Sequence, residues 1–142
     1  MSTYIIHTDG GARGNPGPAA IGVYIQEENG RVVAKISKQI GHATNNVAEY
    51  TAVIEALLWF KDHKLQVSQS PSLSFFLDST LVVNQLNGLW KIKDGNLRML
   101  LLKIHQLEAE VGGEIRYTSV PREQNTDADF LVNEAFDGQT NK

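Results

Sequence analysis

The chain is 142 residues long, 42% hydrophobic and 20% charged, which fits one domain around a single core. It has no cysteine, so disulfides and thiolate metal sites are excluded and a cytoplasmic protein is the default; no apolar run is long enough to span a membrane. The formal net charge of -3 argues against gripping nucleic acid by bulk positive charge, although carboxylates gathered around metal ions stop repelling phosphate once the metals bind.

Residues 4–8 are β-branched and aromatic, predicting a strand that ends at Asp9 and runs into Gly10, Gly11, Gly14, Asn15, Pro16 and Gly17. Residues 19–28 and 31–40 predict two further strands joined by an Asn29-Gly30 turn, in which both residues tolerate positive φ. Residues 45–63 read as a helix with Asn45 or Asn46 as N-cap and apolar positions at Val53, Ile54, Ala56, Leu57 and Phe60.

A polar loop with Ser68, Ser70 and Pro71 leads to a buried strand at 72–77, ending at Asp78. Ser79 caps a short helix over 80–87 that Gly88 stops, and the connector 89–95 carries Trp90, Lys91 and Lys93. Asn96 caps a long helix that ends at Gly112 and Gly113; residues 114–119 alternate like a fifth strand, and 126–136 form the last helix. Residues 1–142 thus make one domain, with an ordered core over about 3–137 and a frayed polar tail after it. The order of elements implies an α/β fold, a mixed sheet of three antiparallel strands and then parallel ones, flanked by helices.

Four acids occupy informative places. Glu49 falls in line with Val53, Ala56 and Phe60 on one helical face, where a bare carboxylate costs several kcal/mol unless it is paired or bound to metal. The bland alternative is an acid in the first helical turn, favoured by the dipole. Asp9 and Asp78 both end strands, and Asp78 could instead cap the next helix. Asp129 lies within the stripe Ala128, Leu131, Val132, Ala135 and Phe136, with a capping box from Thr126 as its alternative and Asp127 as its solvated neighbour. Four converging carboxylates without a soft ligand suit hard ions such as Mg²⁺.

Asp9-Gly10-Gly11 with Asn15-Pro16-Gly17, then Thr44-Asn45-Asn46-Val47-Ala48-Glu49, Asp78-Ser79, and Arg122-Glu123-Gln124-Asn125 ahead of Ala128-Asp129 and Leu131, resemble the type 1 ribonuclease H family in order and spacing. The resemblance implies the ribonuclease H-like fold with a five-stranded mixed sheet. It also implies an endonuclease that hydrolyses the RNA strand of an RNA-DNA hybrid with two Mg²⁺ ions, Mn²⁺ being a substitute, and no organic cofactor. By position, Asp9 would bridge both ions, Glu49 and Asp78 would hold the one on the leaving-group side, and Asp129 the one beside the attacking water. Glu49 would also read the ribose 2′-hydroxyl.

The resemblance places Asn15, Asn45 and Asn46 at the minor groove and Thr44 with Asn46 at a DNA phosphate. Gly10 and Gly11 give clearance for a backbone. Trp90, between Leu89 and the basic Lys91 and Lys93, is a site for DNA sugars, its alternative being partial core. A histidine that many relatives carry before the last helix is missing, and Arg122 is the stand-in, able to act by charge but not as a base. The connector at 90–95 leaves no room for the long basic insertion of some relatives. A monomer acting on a hybrid duplex is expected; the rival is a hybrid-binding module of the same fold that lost catalysis. The glycine spacing does not give a dinucleotide fingerprint or a P-loop, and His7 reads as a satisfied core histidine rather than a ligand.

Overall fold

The computed structural model describes residues 2–64, 67 and 70–140, without the side chains of 139 and 140. Strands β1 (Thr3–Ala12), β2 (Gly17–Glu27) and β3 (Val32–Ala43) form an antiparallel meander, and β4 (Ser72–Leu77) and β5 (Glu114–Ser119) add to it in parallel, giving the order β3-β2-β1-β4-β5. The helices are α1 (Asn45–Asp62), α2 (Thr80–Leu86), α3 (Gly95–Val111) and α4 (Thr126–Thr140), with a 3-10 turn at Arg122–Gln124. The expected five-stranded mixed sheet flanked by helices is what forms.

Alternation along the strands divides the interior in two. On one face Ile6, Val23, Ile25, Leu73 and Phe75 meet Tyr50, Val53, Leu57 and Phe60 of α1 and Ile104 and Leu107 of α3. On the other, Ala20 packs with Val132, Ala135 and Phe136 of α4. Gly22 lets α4 sit this close: a Cβ there would lie 2.2 Å from the Ala128 carbonyl oxygen.

Several local expectations need correction. Strand β1 does not end at Asp9 but continues to Ala12, because Gly10, Gly11 and Ala12 pair with Ile21, Ala20 and Ala19 of β2. The hairpin turn has positive φ at Gly30 alone; Glu27 and Arg31 close a three-residue loop, and the Asn29 side chain accepts from the Arg31 N–H instead. Helix α1 is capped by Thr44, whose hydroxyl accepts from the Val47 N–H, since the Asn45 side chain is engaged with β1.

The α3 cap is Asp94, not Asn96: its carboxylate accepts from the N–H groups of both Asn96 and Leu97, a stronger cap than an amide offers. Helix α4 runs on to Thr140, so residues 137–140 of the tail are helical. Ser68, Asn141 and Lys142 lie outside the described residues. Among the described residues, no helix is long and apolar enough to cross a membrane.

Candidate active site and metal centre

Strands β1 and β4 lie side by side and parallel, with His7 opposite Phe76 as their last registered pair. Two residues further on come Asp9, still inside β1 but past the end of its pairing with β4, and Asp78, immediately after the end of β4. Helix α1 delivers Glu49 from above. Its N-terminal half crosses β1 at Gly10 so tightly that a Cβ there would lie 2.4 Å from the Ala48 carbonyl carbon and oxygen.

That contact explains Gly10, whose open side is filled by α1. Its N–H donates both to Glu49 Oε1 at 2.6 Å and to Asp9 Oδ1 at 2.9 Å, fixing two carboxylates with one donor. One carboxylate oxygen from each of Asp9, Glu49 and Asp78 lies within 4.8 Å of the others. Asp129 stands on the α4 side of the same cleft, where the Asn133 amide reaches its Oδ2 at 3.4 Å.

The electrostatics of this cluster are those of a site short of positive charge. Burial, then the repulsion of Asp78, raises the Asp9 carboxyl to about 7. Burial together with Asp9 and Asp78 holds Glu49, 6% exposed, well above the ordinary carboxylate range. Asp78 is raised by burial, an effect that the Arg122 guanidinium and a hydrogen bond from Asn125 oppose, and its buried Oδ2 has no hydrogen-bond partner among the described residues. Hard oxygen donors, mutual repulsion and an orphaned carboxylate oxygen fit a divalent cation.

The bland readings of Glu49, Asp78 and Asp129 fail on local geometry. No acid lies in the first turn of α1, so the dipole does not account for Glu49. The α2 cap is Ser79, which accepts from the Val82 N–H and leaves Asp78 free of that duty. Thr126 is already helical, so it does not form a capping box with Asp129. Asp127 is exposed, as a solvated neighbour should be.

One cleft gathers Asp9, Gly10, Gly11, Asn45, Asn46, Glu49, Asp78, Arg122 and Asp129. Asn15 adjoins it: its Oδ1 accepts from the Asn45 N–H at 3.0 Å, while Asn45 Oδ1 accepts from the Ala12 N–H at 2.8 Å. Thr44 serves as the α1 cap beside them. Trp90, Lys91 and Lys93 do not line this cleft, and all three are exposed; at 49% exposure Trp90 is no core residue either.

Arg13, Asn133 and the structural part played by Asn125 emerge only in the folded chain. Asn125 is fully buried, donates from Nδ2 to the Thr8 carbonyl at 2.9 Å and pairs through Oδ1 with His7 Nδ1 at 2.9 Å. Its own carbonyl accepts from the Asp129 N–H and its N–H reaches the Arg122 carbonyl, so one amide ties β1, the 3-10 turn and α4 together. His7 stacks on Phe76 and its Nδ1 is satisfied by Asn125, as expected, but it is half-buried on β1 rather than part of the core. In the sequence, the available signal is an asparagine immediately before a helix.

Comparison with known proteins agrees with this geometry. The profile of a family described as reverse transcriptase-like matches residues 7–135. The structure of LC11-RNase H1, isolated from compost, is 42% identical, with a TM-score of 0.92 and 99% of each chain covered. The same protein has been solved in complex with an RNA/DNA hybrid. A bifunctional protein of Mycobacterium tuberculosis is 40% identical over 134 residues, 94% of this chain and 35% of its own length. Ribonuclease HI of Halobacterium salinarum is 40% identical over 129 residues, 91% of this chain and 62% of that protein. The chain thus spans less than two thirds of these two curated relatives.

Proposed function

The chain belongs to the type 1 ribonuclease H family, and from that premise we propose that it is an endonuclease hydrolysing the RNA strand of RNA-DNA hybrids with two divalent cations, Mg²⁺ or Mn²⁺ in its place. The observation that carries this reading is the meeting of Asp9, Glu49 and Asp78 oxygens within 4.8 Å in an open cleft that also contains Asp129. Asp9, Glu49 and Asp78 would hold one cation, and Asp9 with Asp129 the other. Such cations supply Lewis acidity, lowering the pKa of an attacking water and neutralising charge that builds on the phosphodiester. The products are then 5′-phosphate and 3′-hydroxyl ends.

The chain's own groups prepare that chemistry. The Gly10 N–H keeps Asp9 and Glu49 turned to the same point. Arg122 places a permanent positive charge beside Asp78, suited to a phosphate but not to proton abstraction. Asn15 and Asn45 commit their oxygens to backbone N–H groups, which leaves their NH₂ groups to serve as donors. Every base pair offers acceptors in the minor groove, so such donors bind without selecting sequence.

The test is incubation of labelled RNA-DNA hybrid, double-stranded RNA and double-stranded DNA with the protein, in Mg²⁺ and in chelator. Cleavage of the hybrid's RNA strand alone, and only with Mg²⁺, is expected. Binding without cleavage would favour the module that lost catalysis.

A further inference from the structure

We propose that Arg13, held on Phe136 at the edge of the carboxylate cleft, binds a backbone phosphate of the nucleic acid lying across that cleft; the inference rests on the hybrid reading above. The guanidinium carbon sits 4.3 Å from the centroid of the Phe136 ring. Both residues line the cleft that holds the acids, and the cations among its lining residues are Arg13 and Arg122. Arg122 stands close enough to Asp78 to influence its ionisation, whereas Arg13 belongs to the β1–β2 loop and the α4 side. The two arginines therefore offer separate points of attachment for a strand whose charge the four carboxylates repel.

The backbone beneath Arg13 is set. Its N–H donates to the Pro18 carbonyl at 2.8 Å, and its carbonyl oxygen packs where a Gly17 Cβ would stand, 2.2 Å away. The same loop carries Asn15, which is hydrogen-bonded to the Asn45 N–H of α1. The loop and the helix that bears Glu49 are thus one frame.

The side chain is restrained but not consumed. Lying over a ring engages the guanidinium face and leaves its N–H edges available for bidentate contact with phosphate. Asp137 stands at 3.9 Å, beyond hydrogen-bond distance, and the side chains of the two are 52% and 71% exposed. An ion pair so wet is readily exchanged for a phosphate. Arginine, with its planar fork, suits this use better than lysine.

The experiment measures hybrid binding and steady-state cleavage over a range of NaCl concentrations for the unmodified chain, Arg13→Gln and Arg13→Lys. Gln keeps the aliphatic stem without the charge; Lys keeps the charge without the fork. Arg13→Gln is expected to raise KM about three- to tenfold, with the loss concentrated in KM rather than kcat, and to reduce the slope of log K against log salt by about one. Arg13→Lys should restore the slope and only part of the affinity. An unchanged salt slope in Arg13→Gln, with melting temperature and hybrid binding like the unmodified chain, would reduce Arg13 to a packing partner of Phe136 and overturn the proposal. A chain that binds no hybrid at all would overturn the reading beneath it, and the phosphate role with it.

Discussion

The Gly10 N–H donates to Glu49 Oε1 at 2.6 Å across the point where α1 crosses β1, so the helix carboxylate is pinned to the residue that follows Asp9. Strand and helix touch there because Gly10 has no side chain. The acidic cluster and the packing of the fold therefore share one residue, and the consequences can be measured.

Gly10→Ala places a Cβ against the Ala48 carbonyl group, both atoms of which are backbone and cannot rotate away. We expect a loss of stability of about 1–3 kcal/mol from forced separation of the two elements. Urea denaturation should show a lower midpoint with an unchanged m-value, and cleavage should fall with it as Glu49 moves away from Asp9. An unshifted midpoint would contradict the packing role.

Asp9→Asn removes the acid shared by both proposed cations with almost no change in volume. Cleavage should drop by about a hundredfold or more, while hybrid binding measured in chelator is retained. Substantial activity in this variant would refute the bridging role.

Stability without divalent ions should fall as pH rises from about 4 to about 7. The Asp9 carboxyl ionises near its ordinary 3.8 when unfolded but near 7 in the fold, so across that window the native state holds a proton that the unfolded state has released. Glu49 and Asp78, also raised, act in the same direction. Melting temperatures in chelator should decline through this range and then level. Mg²⁺ should restore stability at the alkaline end, where the carboxylates are free to bind it. A melting temperature that climbs with pH in chelator would oppose this account.

Asn15→Asp keeps the oxygen that accepts from the Asn45 N–H but loses the NH₂ donor and adds a negative charge. Hybrid affinity should weaken about tenfold or more, with little change in melting temperature. If affinity is preserved, the amide donor is not a substrate contact.

Arg122→Ala should slow turnover about tenfold while calorimetry still detects Mg²⁺ binding, and Arg122→Lys should recover part of the rate through charge. An unchanged rate in the alanine variant would end the idea that Arg122 stands in for a loop histidine.

Much of this was legible in one dimension. A short continuous apolar run placed β4, and alternation β5, at their observed bounds, and Ser79 was placed as the α2 cap, because those signals are local. Glu49 betrayed itself by sharing a helical face with Val53, Ala56 and Phe60, all of which prove buried. Local signals failed where a tertiary partner competed. Asn45 looked like a cap but its oxygen goes to the Ala12 N–H, which leaves capping to Thr44. Gly10 and Gly11 looked like a loop but pair with Ile21 and Ala20 of β2, and the room that Gly10 leaves is taken by α1.

The sequence by itself determined which acids exist, that each stands near the end of a strand or the start of a helix, and that hard-metal chemistry suits them. Only the tertiary structure decided that they meet. The parallel register of β1 and β4, which extends from His7 and Phe76 towards Asp9 and Asp78, joins segments about seventy residues apart, and no local propensity encodes such pairing. Packing of α1 on β1 through Gly10 supplies Glu49, and the buried Asn125 sets α4 and Asp129 against the same strand. The repulsion among these carboxylates, which makes the site ready for cations, exists only once the fold has forced them together.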